Sequence, residues 1–400
     1  MNDLPDIPDK AATAVNDLLD NCACIQAGQN VLILAANDGL NGGANIVDQA
    51  TVGWIADGVR KRGADAKVMW VDMPDRPQLI WPDIATRETV WRIPGDVKAA
   101  MKEADILISH VFDLSSEEHL KELPETLREY ELPMVRNMAT TASLLMTDWA
   151  RTPHDLIAEI RYRMGELVVA GEPWELTHPN GTHLTGKVGP GPKTRPTYVY
   201  WRRDGFYRPF PDGIYPAVNP VDCEGIYIFD RMMPVWAHNI GVPPHFSEPV
   251  TVTVKDTHIV KVEGGAEADT LRAFLAALAN SIGEDHAYEM RAPHGGVHPS
   301  ALISPSECAD EDYREFIASF HPSSLHIHLG QGGRDKDFPY NLHTACEIRG
   351  GTLTIGGRKV HDGERMAVLD HPRVLEVAGR TPNLPGLGGI SWQSQVQGVA

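Results

Sequence analysis

The sequence predicts a two-part α/β protein. A Rossmann-like parallel-sheet domain is expected over residues 1–150, followed by a β-rich α+β domain over 151–400 that carries the active cleft. Three observations predict it. Helix-like and strand-like segments alternate through the first 150 residues. The texture turns to short alternating strands near residue 170. A run rich in proline, glycine and aromatics, 187–221, interrupts that second part.

Within the first part, AATAVNDLLDNCACI has helical spacing and ends near Gly28. NVLILAA is a short continuous apolar run, as expected for a strand covered on both faces. NIVDQATVGWIADGVRKRG reads as an amphipathic helix stopped at Gly63. The strand AKVMWVDM, the helix GDVKAAMKEA, the strand DILISHVF, the helix SEEHLKELPETLREY and the strand PMVRNM follow. The turn AANDGLNGGAN lacks G-x-G-x-x-G, so no dinucleotide is expected there. His110 falls at the C-terminal end of a strand, where open α/β sheets bind ligands.

A helix, PHDLIAEIRYRMGELVVAG, leads into the second part. WELTHPNGTHLTGKV alternates around Asn-Gly, a hairpin signal. The run at 187–221 reads as an excursion, a lid or an oligomer contact. Strands GIYIFD, VTVTVKDTHIVKVEGG, SLHIHLG, TACEIRG and TLTIGGRKV then surround a helix, ADTLRAFLAALANSI.

Composition bounds the function. The chain has 400 residues, 42% hydrophobic and 22% charged, enough for two domains with their own cores. A net charge of −18 repels phosphate backbones and anionic membranes, so neither nucleic acid nor membrane is an expected partner. No apolar window is long enough to span a bilayer. The N-terminus lacks the basic and apolar regions of a signal peptide. Five scattered cysteines suit reduced thiols, so the expected location is cytoplasmic. Cys22-Ala-Cys24 reads as one face of the N-terminal helix rather than a zinc knuckle, and Cys346 as buried packing.

The histidines carry the functional signal. Seven of 17 lie between His286 and His343. RAPHGGVHP places His294 and His298 on a Gly/Pro-rich loop. LHIHLG places His326 and His328 on one face of a strand, because strand side chains alternate with period two. His343 begins another strand. Neutral imidazole is a common ligand for zinc and ferrous iron, and three segments could converge on one ion. Glu224, Glu289 and Glu347 are the nearby carboxylates. No nucleophile elbow, P-loop or H-E-x-x-H is present.

Several stretches resemble one superfamily: the M29-type metallo-aminopeptidases (aminopeptidase T) and the 2,5-dihydroxypyridine 5,6-dioxygenases. TTASLLMTDWARTPHDLIAEIRYRM is similar to its connection between domains, and WELTHPNGTHLTGKV to its hairpin. CEGIYIFD is similar to a peptidase segment, GGVHPSALI to a segment near a dioxygenase metal ligand, and NLHTACEIRGGTLTIGGRKVHDG to the H-x-D ending of both branches. The resemblance places Glu224 on the peptidases' first glutamate and His343 on the histidine of H-x-D. Ala345 stands where the aspartate is expected. Glu347, His326 or Glu289 would then supply the third ligand. For the middle ligand an ungapped match gives Ala292, and slips in either direction give His294 or Glu289.

The resemblance implies two chemistries. In the first, one Fe(II) held by His294, His343 and a carboxylate opens a dihydroxypyridine-like ring with O₂, and His110, Tyr340 or His326 moves a proton. In the second, two ions of Zn, Co or Mn serve an aminopeptidase. Glu224 and Glu289 act there as ligand and general base, and Tyr340 faces the oxyanion. A non-catalytic or rebuilt site is the third expectation. A small-molecule substrate and a homo-oligomer are expected in the enzymatic readings.

Overall fold

The computed structural model describes residues 5–37, 47–71, 93–110, 122–190, 207–213, 218–330, 344–363 and 365–380. The chain is an α/β protein with a parallel sheet followed by a larger antiparallel one. In the first sheet, β1 (Asn30–Ala36), β2 (Asp65–Val71), β3 (Ile106–His110) and β4 (Met134–Asn137) run parallel in the order β2-β1-β3-β4. The apolar runs behind β1 and β3 are buried along nearly their whole length, because helices cover both faces. Asp48 secures one of those helices. Its Oδ1 accepts from Thr51 N at 2.7 Å, capping Gln49–Lys61, and its Oδ2 accepts from Ala142 N at 2.7 Å.

The N-terminal helix is shorter than its spacing suggests. It runs Asp9–Asp17 and passes into a π-helical turn, Leu18–Cys22, which buries Cys22. Cys24 lies beyond it at φ 57, so the two thiols do not share a helix face.

The second sheet begins with the hairpin β5 (Pro173–Thr177) and β6 (His183–Val188), paired Thr177 to His183. The connection is a loop over 178–182 rather than a two-residue turn. Asn180 Oδ1 accepts from Thr182 N at 2.9 Å, and Asn180 Nδ2 donates to Ile228 O at 2.7 Å. From the aromatic excursion, β7 (Tyr207–Phe210) leaves the second part and pairs in parallel with β4 of the first sheet.

β8 (Pro220–Met232) is the long central strand. It pairs with β6, with β9 (His245–Lys255) and, near its end, with β13 (Thr344–Arg349). β10 (His258–Glu263) pairs with β9. Beyond β13 lie β12 (Ser324–Leu329) and β11 (Met290–Gly295), which ends the sheet. At the other end β14 (Thr352–Ile355), β15 (Arg358–Asp362) and β16 (Arg365–Met366) continue from β5. Among the described residues no helix is long and apolar enough to cross a membrane.

The RAPH segment is a strand where its Gly/Pro content suggests a loop. Pro293 is tolerated because β11 is an end strand and the ladder is irregular there, so a missing N–H leaves no partner unsatisfied. The segment leaving β11 is pinned to the stretch that follows β7 and to the turn before the helix His154–Leu167. Val297 N donates to Gly213 O at 2.8 Å, and Thr152 Oγ1 donates to Ser300 Oγ at 3.1 Å. Tyr313 Oη donates to Met138 O, and Arg136 lies over the Phe316 ring at 5.7 Å. Gly296 lets this segment lie against the Phe320–His321 backbone, since a Cβ there would collide with the Phe320 carbonyl and His321 O. Gly296→Ala is expected to lower unfolding stability by about 1–3 kcal/mol, read by denaturant titration. An unchanged midpoint would mean the two backbones do not approach this closely.

Candidate metal centre

Three imidazoles meet where β11 and β12 pair. His294 Nε2 lies 3.4 Å from His328 Nε2. Ring centroids are 4.0 Å apart for His294 and His326, 5.1 Å for His294 and His328, and 5.4 Å for His326 and His328. One ring nitrogen from each lies within 4.8 Å of the others, so the set could hold a metal ion. His326 is 2% exposed, His328 9%, and His294 half-buried, so the set is open on the His294 side. Two imidazole nitrogens each about 2.0–2.1 Å from a shared ion stand roughly 3.0–3.4 Å apart. The 3.4 Å separation of His294 and His328 fits that demand.

Register explains the convergence. His326 and His328 share a face by period two. On β11, Arg291 pairs with His328 and His294 with His326, so three residues on one strand span two on the other. This bulge takes up the odd residue and turns Arg291 and His294 to the same face. On the other flank, Ala345 pairs with His328 and Glu347 with His326. His328 therefore projects directly across from the alanine that stands where the resemblance leads one to expect an aspartate. A methyl group leaves the imidazole room there.

The other candidates lie as follows. Glu347 shares the face of His326 and is buried, but its Oε1 accepts from Arg349 Nε at 2.8 Å, and Arg349 also donates to Glu315 at 2.9 Å. Burial works against the Arg349 charge, yet the two carboxylates outweigh it and hold its pKa above the ordinary value. Glu289 is ion-paired with Arg291. Glu224 is solvent-exposed on β8, paired with Thr185. None of these carboxylates is grouped with the three histidines. His343 and Tyr340 lie outside the described residues. His110 ends β3 in the other domain. Its Nδ1 is 3.3 Å from Asn137 Nδ2, and its Nε2 is buried without a hydrogen-bond partner among the described residues. The residue that the sequence candidates omitted is His328, although its face was legible from the alternation.

Outside the centre, several imidazoles are kept neutral. Burial lowers His110 to about 4 and His361 to about 4. Burial, with the charges of Arg208 and Arg161, lowers His154 to about 3. Burial beside His321 lowers His298 to about 3, and burial with Arg349 lowers His321 to about 4. In the unfolded chain each returns to about 6.5. Unfolding therefore takes up protons as pH falls from about 6.5 to 4, and the stability present above that window is lost within it. Asp17, raised by burial to about 6, has the opposite sign. Its contribution is full below its unfolded pKa of about 4 and lost as pH rises through 6.

Comparison with known proteins adds the fold. No protein-family profile matches the chain, and no curated protein matches it. Among solved structures, 2,5-dihydroxypyridine dioxygenase from Pseudomonas putida KT2440 superimposes with a TM-score of 0.63 at 14% identity. The match covers 91% of this chain and 99% of that one. AmpT from Thermus thermophilus is found at a TM-score of 0.47 and 12% identity, covering 90% of this chain and 99% of that one. The chain therefore has the two-domain fold of the dioxygenase.

Replacing His298 by Gln removes one of the buried titrating groups. Between about pH 6 and 4.5 the dependence of stability on pH should become shallower by about 1.4 kcal/mol per pH unit, measured as urea midpoints across that range. An unchanged slope would mean His298 already takes its proton in the folded protein.

Proposed function

We propose that the chain is a mononuclear metal enzyme that opens a hydroxylated N-heteroaromatic ring, dihydroxypyridine-like, with O₂. The observation that carries this reading is the ligand set: His294, His326 and His328 converge, with no carboxylate among them in the described residues. A dinuclear hydrolase needs bridging carboxylates to hold two ions and activate water. The glutamates such a site would use are engaged elsewhere, Glu289 with Arg291 and Glu224 with solvent. The likeness in fold to a dihydroxypyridine dioxygenase is compatible with the same reading.

His294, His326 and His328 would hold a ferrous ion, which would supply positions for O₂ and for a chelating ring. The protein's own groups do the rest. His326 and His328 are fixed by the β12 ladder on both sides, and His294 by the bulge, so the donors are aimed before anything binds. His326 serves as a ligand in this reading, not as a proton carrier. Buried apolar side chains from β12 and β13, Ile327 and Cys346 among them, back the opposite face and keep water from that side. His110, held neutral by burial at a pKa lowered to about 4, is a weak base and would hold a proton only briefly. In the net reaction both oxygen atoms enter the product as one ring carbon–carbon bond breaks, and no other reductant is consumed.

Protein purified anaerobically without a tag should carry one iron per chain. Alanine at His294 or His328 should weaken iron by more than the roughly 10–100-fold typical of groups outside the ligand shell. Oxygen uptake with 2,5-dihydroxypyridine should match substrate lost one for one. Two zinc, manganese or cobalt ions per chain, with cleavage of aminoacyl amides, would replace this reading by the hydrolase. Absence of metal in the wild-type protein would end it.

A further inference from the structure

Three neutral imidazoles leave the charge of a divalent ion uncompensated, where a set with one carboxylate would cancel half of it. The neighbour on the same sheet face is also basic: Arg291 sits directly across the ladder from His328. Opposed residues of an antiparallel pair hold their side chains within about 5 Å at Cβ. The Arg291 side chain is 14% exposed. Among the described residues Glu289, 24% exposed, is its one acceptor, taking Nη2, and Arg291 Nε is buried with no acceptor. A guanidinium offers five donors in a planar fork suited to carboxylate, and among the described residues Glu289 takes one of them. In a protein of net charge −18, Arg291 is a cation held in register with the three rings.

We propose that the substrate of this centre is an anionic chelator: a hydroxylated aromatic or N-heteroaromatic ring that also bears a carboxylate, which Arg291 receives. The inference rests on the metal-centre reading and adds the charge of the substrate to it. Ring oxygens supply the negative charge that the protein's ligands withhold. The carboxylate fixes which edge of the ring faces the ion. Glu289 competes with that carboxylate for the guanidinium and so sets how tightly it is held.

The test uses zinc-loaded full-length protein, in which no turnover occurs, and isothermal calorimetry with catechol, 2,3-dihydroxybenzoate and 3,4-dihydroxybenzoate. One of the two carboxylated rings is expected to bind at least about tenfold tighter than catechol, the ratio that one charge-assisted hydrogen bond supplies. Arg291→Gln should erase that margin while zinc and catechol affinities stay as in the wild type. Arg291→Lys should keep part of it. Glu289→Gln, which releases the guanidinium, should widen it, a gain that a merely structural ion pair would not give. If zinc binds and the margin is absent, or survives in Arg291→Gln, the inference is overturned while the metal centre stands. If Arg291→Gln loses zinc through misfolding, Glu289→Gln decides: a wider margin supports the inference and an unchanged one overturns it. If the wild-type protein binds no zinc, both readings fall.

Discussion

One extra residue in β11, between Arg291 and His294, is the feature on which the site depends. With an unbroken ladder, residues three apart would point to opposite faces, and either Arg291 or His294 would leave the cluster. The bulge holds both beside His326 and His328. It also places Pro293 where an absent N–H is tolerated, and Gly296 that follows lies against the Phe320 and His321 backbone. A chemical arrangement thus follows from a local fault in pairing at the end of a sheet.

The neighbouring strand shows how a ligand set can change without a change of scaffold. Across a ladder, opposed side chains compete for the same space. A small residue at Ala345 gives the room to His328, its partner on β12. The carboxylate nearest in register, Glu347, is drawn instead into the Arg349–Glu315 network that ties β13 to the helix Glu311–Ala318. Electrostatics then differ in kind: neutral nitrogen ligands bring no negative charge to an ion, and the side chain across from His328 is a guanidinium, paired with Glu289.

The neutral buried histidines belong to the same economy of burial. His298 packs near Trp149, with ring centroids 6.4 Å apart, and its Nδ1 accepts from Ser300 N at 3.2 Å. His361 pairs through Nδ1 with Pro322 O at 3.0 Å. Both rest against the turn at 320–322, His298 N donating to Phe320 O at 2.9 Å. A histidine-dense stretch therefore serves two purposes: three rings converge within reach of one ion, and others are buried in the packing around the turn at 320–322. Composition could not divide them, because both uses favour an imidazole held neutral.

Alternation and continuous apolar runs determined, from sequence alone, the parallel sheet, the hairpin around Asn180 and the shared face of His326 and His328. These depend on neighbours along the chain, and a period of two or 3.6 is enough to read them. The stretch 291–299 reads as a loop from its glycines and prolines, since nothing local reveals that its first half will pair with a strand thirty-odd residues on. Likewise the aromatic excursion conceals β7, which finds its partner in β4 of the other domain. Which carboxylates stay near the imidazoles was decided by tertiary structure: Glu224, Glu289 and Glu347 sit on strands or ladder positions like the histidines, yet solvent, Arg291 and Arg349 take them. Cross-strand register and ion-pair choice are set by partners distant in sequence, and so only the folded chain fixes them.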